Sequence, residues 1–216
     1  MVTSPHSLRR AGGRPSRRGF TLIELLVVIS IVGLLVAISI PALSAVRRRS
    51  ETKTTKAFLE RLRLQIESYS NDFGDYPPSR ASRIGHRGNE LNAGSEILLR
   101  CLTTSSKAGP YMEFEDSQLT NSDGDSLERG LNPTRSVIKT SELLEIADVW
   151  GNPILYLHNK DYERGGQLSL PGGTVTVPAY SHEKTKQFAG LTSFQLFSAG
   201  VDGEAGTDDD VRVFGE

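Results

Sequence analysis

A single cysteine in 216 residues, Cys101, excludes a disulfide within the chain, so something other than a cystine must tie down its loops. Histidine is scarce too. His6, His86, His158 and His182 fall in no zinc-ligand or catalytic-triad spacing, and no glycine loop of the phosphate-binding type is present. These absences speak against an enzyme and against a nucleotide-driven motor. Cys101 reads as a small buried hydrophobe rather than a nucleophile. Acid is missing from residues 1–19, which hold Arg9, Arg10, Arg14, Arg17 and Arg18. Charge is nearly missing from the next 21 residues, Phe20 to Ile40, where Glu24 is the one ionisable side chain. Glycine and proline are missing from Ser44 to Tyr69.

What is present follows from that partition. Of the 25 Lys and Arg, five lie in the first 19 residues, leaving 20 against 26 acids and a remainder near −6. A basic leader ahead of an acidic folded part does not suit a nucleic-acid binder, which keeps its basic patch in the fold. As a helix, Phe20 to Ile40 spans about 31 Å, the thickness of a hydrocarbon core of about 30 Å. A cleaved secretory signal has a shorter apolar region and a small-residue cleavage site. The stretch Ile40-Pro41-Ala42-Leu43-Ser44-Ala45 lacks the small residue three before the cut. Arg47, Arg48, Arg49, Lys53 and Lys56 follow the segment closely, so flanking charge favours neither orientation.

Glu24 is costly in lipid, up to about 3 kcal/mol at the centre of a membrane helix and less near an end. Either it reaches water at the interface, or a partner neutralises it. Cleavage after Gly19 would give Phe20 a free amine close to Glu24 in depth, and a neighbouring subunit's amine could then pair with the carboxylate.

The run Gly19-Phe20-Thr21-Leu22-Ile23-Glu24, followed by an apolar helix with Pro41, resembles the class III signal of type IV pilins and type II secretion pseudopilins. The resemblance implies that a prepilin peptidase cuts after Gly19 and methylates Phe20. It implies that Glu24 is the assembly residue, and that residues 1–19 are a cleaved basic leader. The fold it implies is α+β, a lollipop. One long N-terminal helix over about 20–70 is transmembrane, or filament core, over 20–40 and amphipathic over 41–72. It packs on a small antiparallel head formed by residues 73–216.

The residues agree. Phe58, Leu62, Ile66 and Tyr69 recur at helical spacing and predict a stripe that the head covers. Pro41 removes a backbone hydrogen bond, which predicts a kink or loosening there, and Gly74 predicts the helix stop. Residues 80–94 read as a loop. Ser95 to Leu102 reads as a short helix capped by Ser95, with Ile97, Leu98, Cys101 and Leu102 toward the long helix. Ser141 to Ile146 reads as at most a short helix. Asn121 to Ser126 is acidic but lacks the later glutamate of an EF-hand, so it reads as a solvated turn. The turn Asp148-Val149-Trp150-Gly151-Asn152-Pro153 predicts a strand after it, with Trp150 as a core anchor. Further strands are expected at 174–177, 193–197 and 211–214, in a sheet of three or four strands.

Ser198 to Asp210 carries five acids in nine residues, with three glycines. Such a loop either stands exposed in solvent or resolves its repulsion on a hard, oxygen-liganded cation, which calcium suits better than magnesium. The loop is similar to the calcium loop of G-type pseudopilins, as the Asp148–Pro153 turn is to theirs. That likeness implies Asp202, Asp209 and Asp210 as side-chain ligands, the carbonyl of Ala199 as a backbone ligand, and Asp208 as a weaker candidate.

The resemblance is strong over 17–56, moderate over 148–216 and weak over 75–147. It implies a non-enzymatic subunit of a type II secretion pseudopilus, anchored by one span in the bacterial inner membrane with its head in the periplasm. Its partners would be its own copies, minor pseudopilins, the inner-membrane assembly platform and prepilin peptidase, without nucleic acid. The alternatives are a type IV pilin for adhesion, motility or DNA uptake, and a membrane-anchored calcium-dependent binding domain.

Overall fold

The computed structural model describes residues 19–84, 89–127 and 135–215. Residues 1–18, most of the expected leader, lie outside them. The chain divides into two units, one ending at Ala45 and the other beginning at Val46. Helix α1 runs Leu22–Phe73 without interruption in its assignment at residue 41. In the first unit its described apolar side chains are exposed. The window Leu22–Ile40 has a mean hydropathy of 2.8 and is 0% buried. At its far end, Gly74 adopts φ +80° and its N–H donates to the Ser70 carbonyl at 2.8 Å, the left-handed stop expected of a glycine there.

In the second unit α1 supplies one wall of a core. The buried stripe is Thr55, Leu59, Leu62 and Ile66. Phe58 and Tyr69 only flank it, so its centre lies one residue from the expected line. Against it pack Leu98, Leu99 and Leu102 of α2 (Ala93–Leu102), together with Ile154, Tyr156, Phe194 and Leu196. Each such fully buried side chain contributes roughly 1.5–3 kcal/mol. Tyr69 stacks on Phe73 at 4.2 Å and takes Tyr111 edge-on at 5.7 Å, closing the core at the helix end.

Seven strands follow in chain order: β1 (Leu119–Thr120), β2 (Glu145–Ile146), β3 (Leu155–His158), β4 (Gly166–Leu170), β5 (Gly173–Val177), β6 (Phe194–Ser198) and β7 (Val211–Phe214). They form a three-stranded antiparallel sheet ordered β3-β6-β7 and two separate pairs, β1-β2 and β4-β5. Successive strand side chains alternate in direction. Tyr156, Phe194 and Leu196 join the α1 side of the sheet, while Leu155, Leu157 and Phe197 join Leu168, Leu170 and Val177 of the β4-β5 hairpin. Both faces are covered, which is why β3 and β6 are buried throughout.

Several expectations need correction. The strand expected at 174–177 pairs with Gly166–Leu170 in its own hairpin, not in the main sheet. Residues 145–146 form a strand against 119–120, not a helix, because the long-range pairing satisfies backbone groups that a two-turn helix would expose. Ser95 is not the cap of α2. The helix begins after Asn92 in a left-handed conformation, and Ser95 Oγ instead accepts from Ile146 N at 2.9 Å inside the core. Trp150 is half-exposed, not a core anchor, and its indole N–H donates to Glu51 on α1 at 3.2 Å.

Candidate functional site

At the start of α1, Gly19 and Phe20 are exposed, Phe20 by 84%. A methyl group on Gly19 would meet no atom within 4 Å, so the fold itself does not ask for glycine there. Thr21 is the helix cap. Its Oγ1 accepts from Glu24 N at 3.2 Å, and its own N–H donates to Glu24 Oε2 at 2.8 Å. This is a capping box. It places the carboxylate four residues past Phe20 on an exposed first turn, and it was missed when the sequence was read for charge alone, although Thr-x-x-Glu is its signature.

The second region joins the 148–153 turn to the acidic loop. Asp148 is buried, and burial pushes its carboxyl upward against four hydrogen bonds. Its Oδ1 accepts from Trp150 N at 2.9 Å and Asn152 N at 3.0 Å, and its Oδ2 accepts from Ser198 Oγ at 2.6 Å. Asn152 Nδ2 donates to the Gly200 carbonyl at 2.9 Å. The turn is therefore fastened to the first residues of the loop.

Within the loop the carboxylates take hydrogen bonds from the loop's own groups. Asp209 Oδ2 accepts from Val201 N at 2.6 Å and Asp202 N at 3.2 Å, and its Oδ1 accepts from Thr207 Oγ1 at 2.6 Å. Burial raises the Asp209 carboxyl, but these donors outweigh it and hold the group below its ordinary range. Asp202 Oδ1 caps Glu204 N at 2.9 Å. Asp210 Oδ2 takes Gly206 N at 3.0 Å and Arg212 at 2.5 Å, while its Oδ1 is buried without a partner. Burial raises the Asp210 carboxyl, with Arg212 opposing. Ala199 is fully buried and Asp208 is exposed. Much of the repulsion expected in the loop is thus relieved by its own amides and by Arg212. The orphaned Oδ1 of Asp210 remains the feature that suits a cation.

A third region was not foreseen. Among the described residues, one group of three carboxylates brings an oxygen of each within 4.8 Å of the others: Glu96, Asp123 and Glu145. Asp123 comes from the turn read as solvated, whose residues are half-buried or exposed. Glu96 and Glu145 sit inside α2 and β2, where no local pattern distinguishes a buried acid from an exposed one. Burial, and then the neighbouring acids, push Glu96 up to about 9. Burial likewise pushes Glu145 up to about 7 and Asp125, beside Asp123, up to about 6.

Residues 14–40 match the family described as Prokaryotic N-terminal methylation motif. The chain is 36% identical over 93 residues to the type IV major pilin protein PilA of Myxococcus xanthus, covering 38% of this chain and 42% of that pilin. It is 40% identical over 67 residues to the type IV wide pilus major component PilA4 of Thermus thermophilus, covering 31% of this chain and 51% of that protein. The chain therefore spans about half or less of the length of these pilins. The type II secretion system core protein G of Escherichia coli K12 is 26% identical over 199 residues, 92% of each chain. A crystal structure of the major pseudopilin from the type 2 secretion system of enterohaemorrhagic Escherichia coli aligns over 79% of this chain and 91% of its own, at 14% identity and a TM-score of 0.34. With a methylation motif at the head of its long helix and a likeness to a type II secretion core protein over 92% of each chain, the chain is similar to type IV pilins and type II secretion pseudopilins.

Proposed function

We propose that the chain is a structural subunit of a type II secretion pseudopilus. Prepilin peptidase removes the leader after Gly19 and methylates Phe20. The subunit waits in the inner membrane with its head in the periplasm, then polymerises through α1 so that the filament drives folded proteins across the outer membrane. It catalyses no reaction itself, and a separate ATPase supplies the energy. The observation that carries this reading is the first half of α1: a 19-residue apolar window, Leu22–Ile40, that is 0% buried and has an exposed carboxylate, Glu24, in its first turn. Packed copies give those side chains a partner, and the amine of one Phe20 gives Glu24 of its neighbour a counter-charge. The full-length likeness to a secretion core protein favours a pseudopilus over a type IV pilus. The pilins it matches share only a part of their length with it.

Calcium belongs to this proposal. Asp202, Asp209, Asp210 and the Ala199 carbonyl would hold it, with Asp208 at the margin. The buried, unpartnered Oδ1 of Asp210 supports that assignment. Bound calcium would pin the loop and stabilise the folded head in proportion to the logarithm of its concentration over the dissociation constant. Deleting the gene tests the function. The proposal expects folded exoproteins to accumulate in the periplasm while surface pili and twitching are unaffected. Loss of pili with normal secretion would establish the pilin alternative instead.

A further inference from the structure

The segment between α2 and the 148–153 turn holds acids that the filament does not use. Glu96 is 4% exposed, and its Oε1 is buried with no hydrogen-bond partner. Glu145 is fully buried. Its Oε1 accepts from Asn92 Nδ2 at 2.8 Å and its Oε2 from Ser122 N at 3.0 Å. Asp123 closes the group from the turn after β1, within 4.8 Å of both. Asp125 stands beside it with a second buried, unpartnered oxygen, Oδ1. Among the described residues, the cation whose charge acts on Glu96 and Asp125 is Arg100, and it directs its guanidinium to the Glu142 carbonyl at 3.0 Å.

We propose that Glu96, Asp123 and Glu145 form a second divalent-cation site, of the calcium class, separate from the loop at 198–210. Two oxygens that share an ion at about 2.4 Å lie at most about 4.8 Å apart, and the three carboxylate oxygens fall within that limit. All the donors are carboxylate oxygens, with neither imidazole nor thiolate, and this selects a hard cation over zinc. The buried, unpartnered Oε1 of Glu96 is a polar atom that a bound ion would satisfy. Asn92 orients Glu145 and also accepts from Ser169 N at 2.9 Å, so the site rests on a rigid frame. The bound ion staples α2, the 121–125 turn and β2 together, the task that a disulfide cannot perform in a chain with one cysteine.

The test uses the full chain in detergent, freed of metal by a chelator and dialysed against calcium chloride. Calcium bound per chain and the rise in Tm with calcium are both read. The loop variant Asp202→Asn/Asp209→Asn/Asp210→Asn should keep one calcium per chain and a calcium-dependent rise in Tm. Adding Glu96→Gln should abolish both, while the metal-free Tm stays level or rises because a buried carboxylate is gone. Asp123→Asn, on a half-exposed turn, gives the independent reading in the otherwise native chain: calcium per chain should fall by one. If the loop variant folds yet binds no calcium, or if Asp123→Asn or Glu96→Gln leaves the stoichiometry of its parent unchanged, the site does not exist.

Discussion

Thr21 and Glu24 share three hydrogen bonds at the first turn of α1. Glu24 N donates to Thr21 Oγ1, and Glu24 Oε2 receives both the N–H and the hydroxyl of Thr21 at 2.8 Å. Glu24 Oε1 takes no hydrogen bond among the described residues. The carboxylate therefore starts its own helix with one oxygen and has the other free for a neighbour. These roles separate by substitution. Glu24→Gln can still accept from Thr21 but carries no charge. Thr21→Ala loses part of the cap, about 1 kcal/mol of helix-start stability, and keeps the charge. Electron microscopy of shear-released filaments should show assembly by Thr21→Ala and none by Glu24→Gln, although both are cleaved. Filaments from Glu24→Gln would reduce Glu24 to a capping residue.

Gly200 holds the acidic loop in a shape that a side chain would strain. Its φ is +70°, and a Cβ there would lie 2.4 Å from Asp209 Oδ2. Gly206 has φ +96° with open space around it. Gly206→Ala should cost about 1–2 kcal/mol, the left-handed term alone. Gly200→Ala should cost more, because it also displaces the acceptor of Val201 N and Asp202 N. Each kcal/mol moves Tm by roughly 2–4 °C in a chain of this size, so calorimetry of the two variants ranks them directly. Equal losses would mean that Asp209 does not organise the loop.

Asp148 is the joint between turn and loop. Asp148→Ala strands the Trp150 and Asn152 amides and the Ser198 hydroxyl, at roughly 1–3 kcal/mol for each group left unpartnered in the interior. Limited proteolysis should then cut within 198–210 at protease concentrations that leave the parent whole. A variant that melts early without exposing the loop would show that the turn is fastened elsewhere.

The same joint shows what the sequence could and could not reveal. The Asp148–Pro153 turn and the strand after it were legible because Gly151 and Pro153 punctuate the chain locally. So was α1, where 21 apolar residues carry one charge. The Asp148–Ser198 and Asn152–Gly200 bonds were not legible, because they join residues about fifty positions apart. Strand β4 escaped notice although Leu168 and Leu170 alternate with Gln167 and Ser169. Its pairing with β5 is invisible in the sequence, because pairing partners leave no local trace. The Glu96–Asp123–Glu145 group is the extreme case, since three unremarkable acids become a site only when α2, a turn and β2 converge.

Acid should weaken the head, and Asp75 isolates part of the effect. Burial raises its carboxyl, but hydrogen bonds from Lys160 and from His158 at 3.1 Å outweigh it and hold the group at about 2. A folded pKa below the unfolded value of about 3.9 stabilises above that value, and the contribution is lost as pH falls toward 2. His158 acts in the same direction. Burial lowers its pKa against the pull of Asp75, so the unfolded chain takes up its proton first as pH drops below about 6.5. In urea melts, the stability gap between the parent and Asp75→Asn should be level above about pH 7.5, where His158 is neutral in both, and should close as pH falls from about 4 toward 2. A gap that persists at pH 2 would show that the ion pair is not its source.

Mass spectrometry of the N-terminal peptide, from protein extracted from membranes, bears most directly on the assembly role of the helix start. The expected peptide begins at Phe20 with one added methyl group on its amine. A mature chain that begins before Gly19, or at an unmodified residue other than Phe20, would leave Glu24 without its partner and contradict the account.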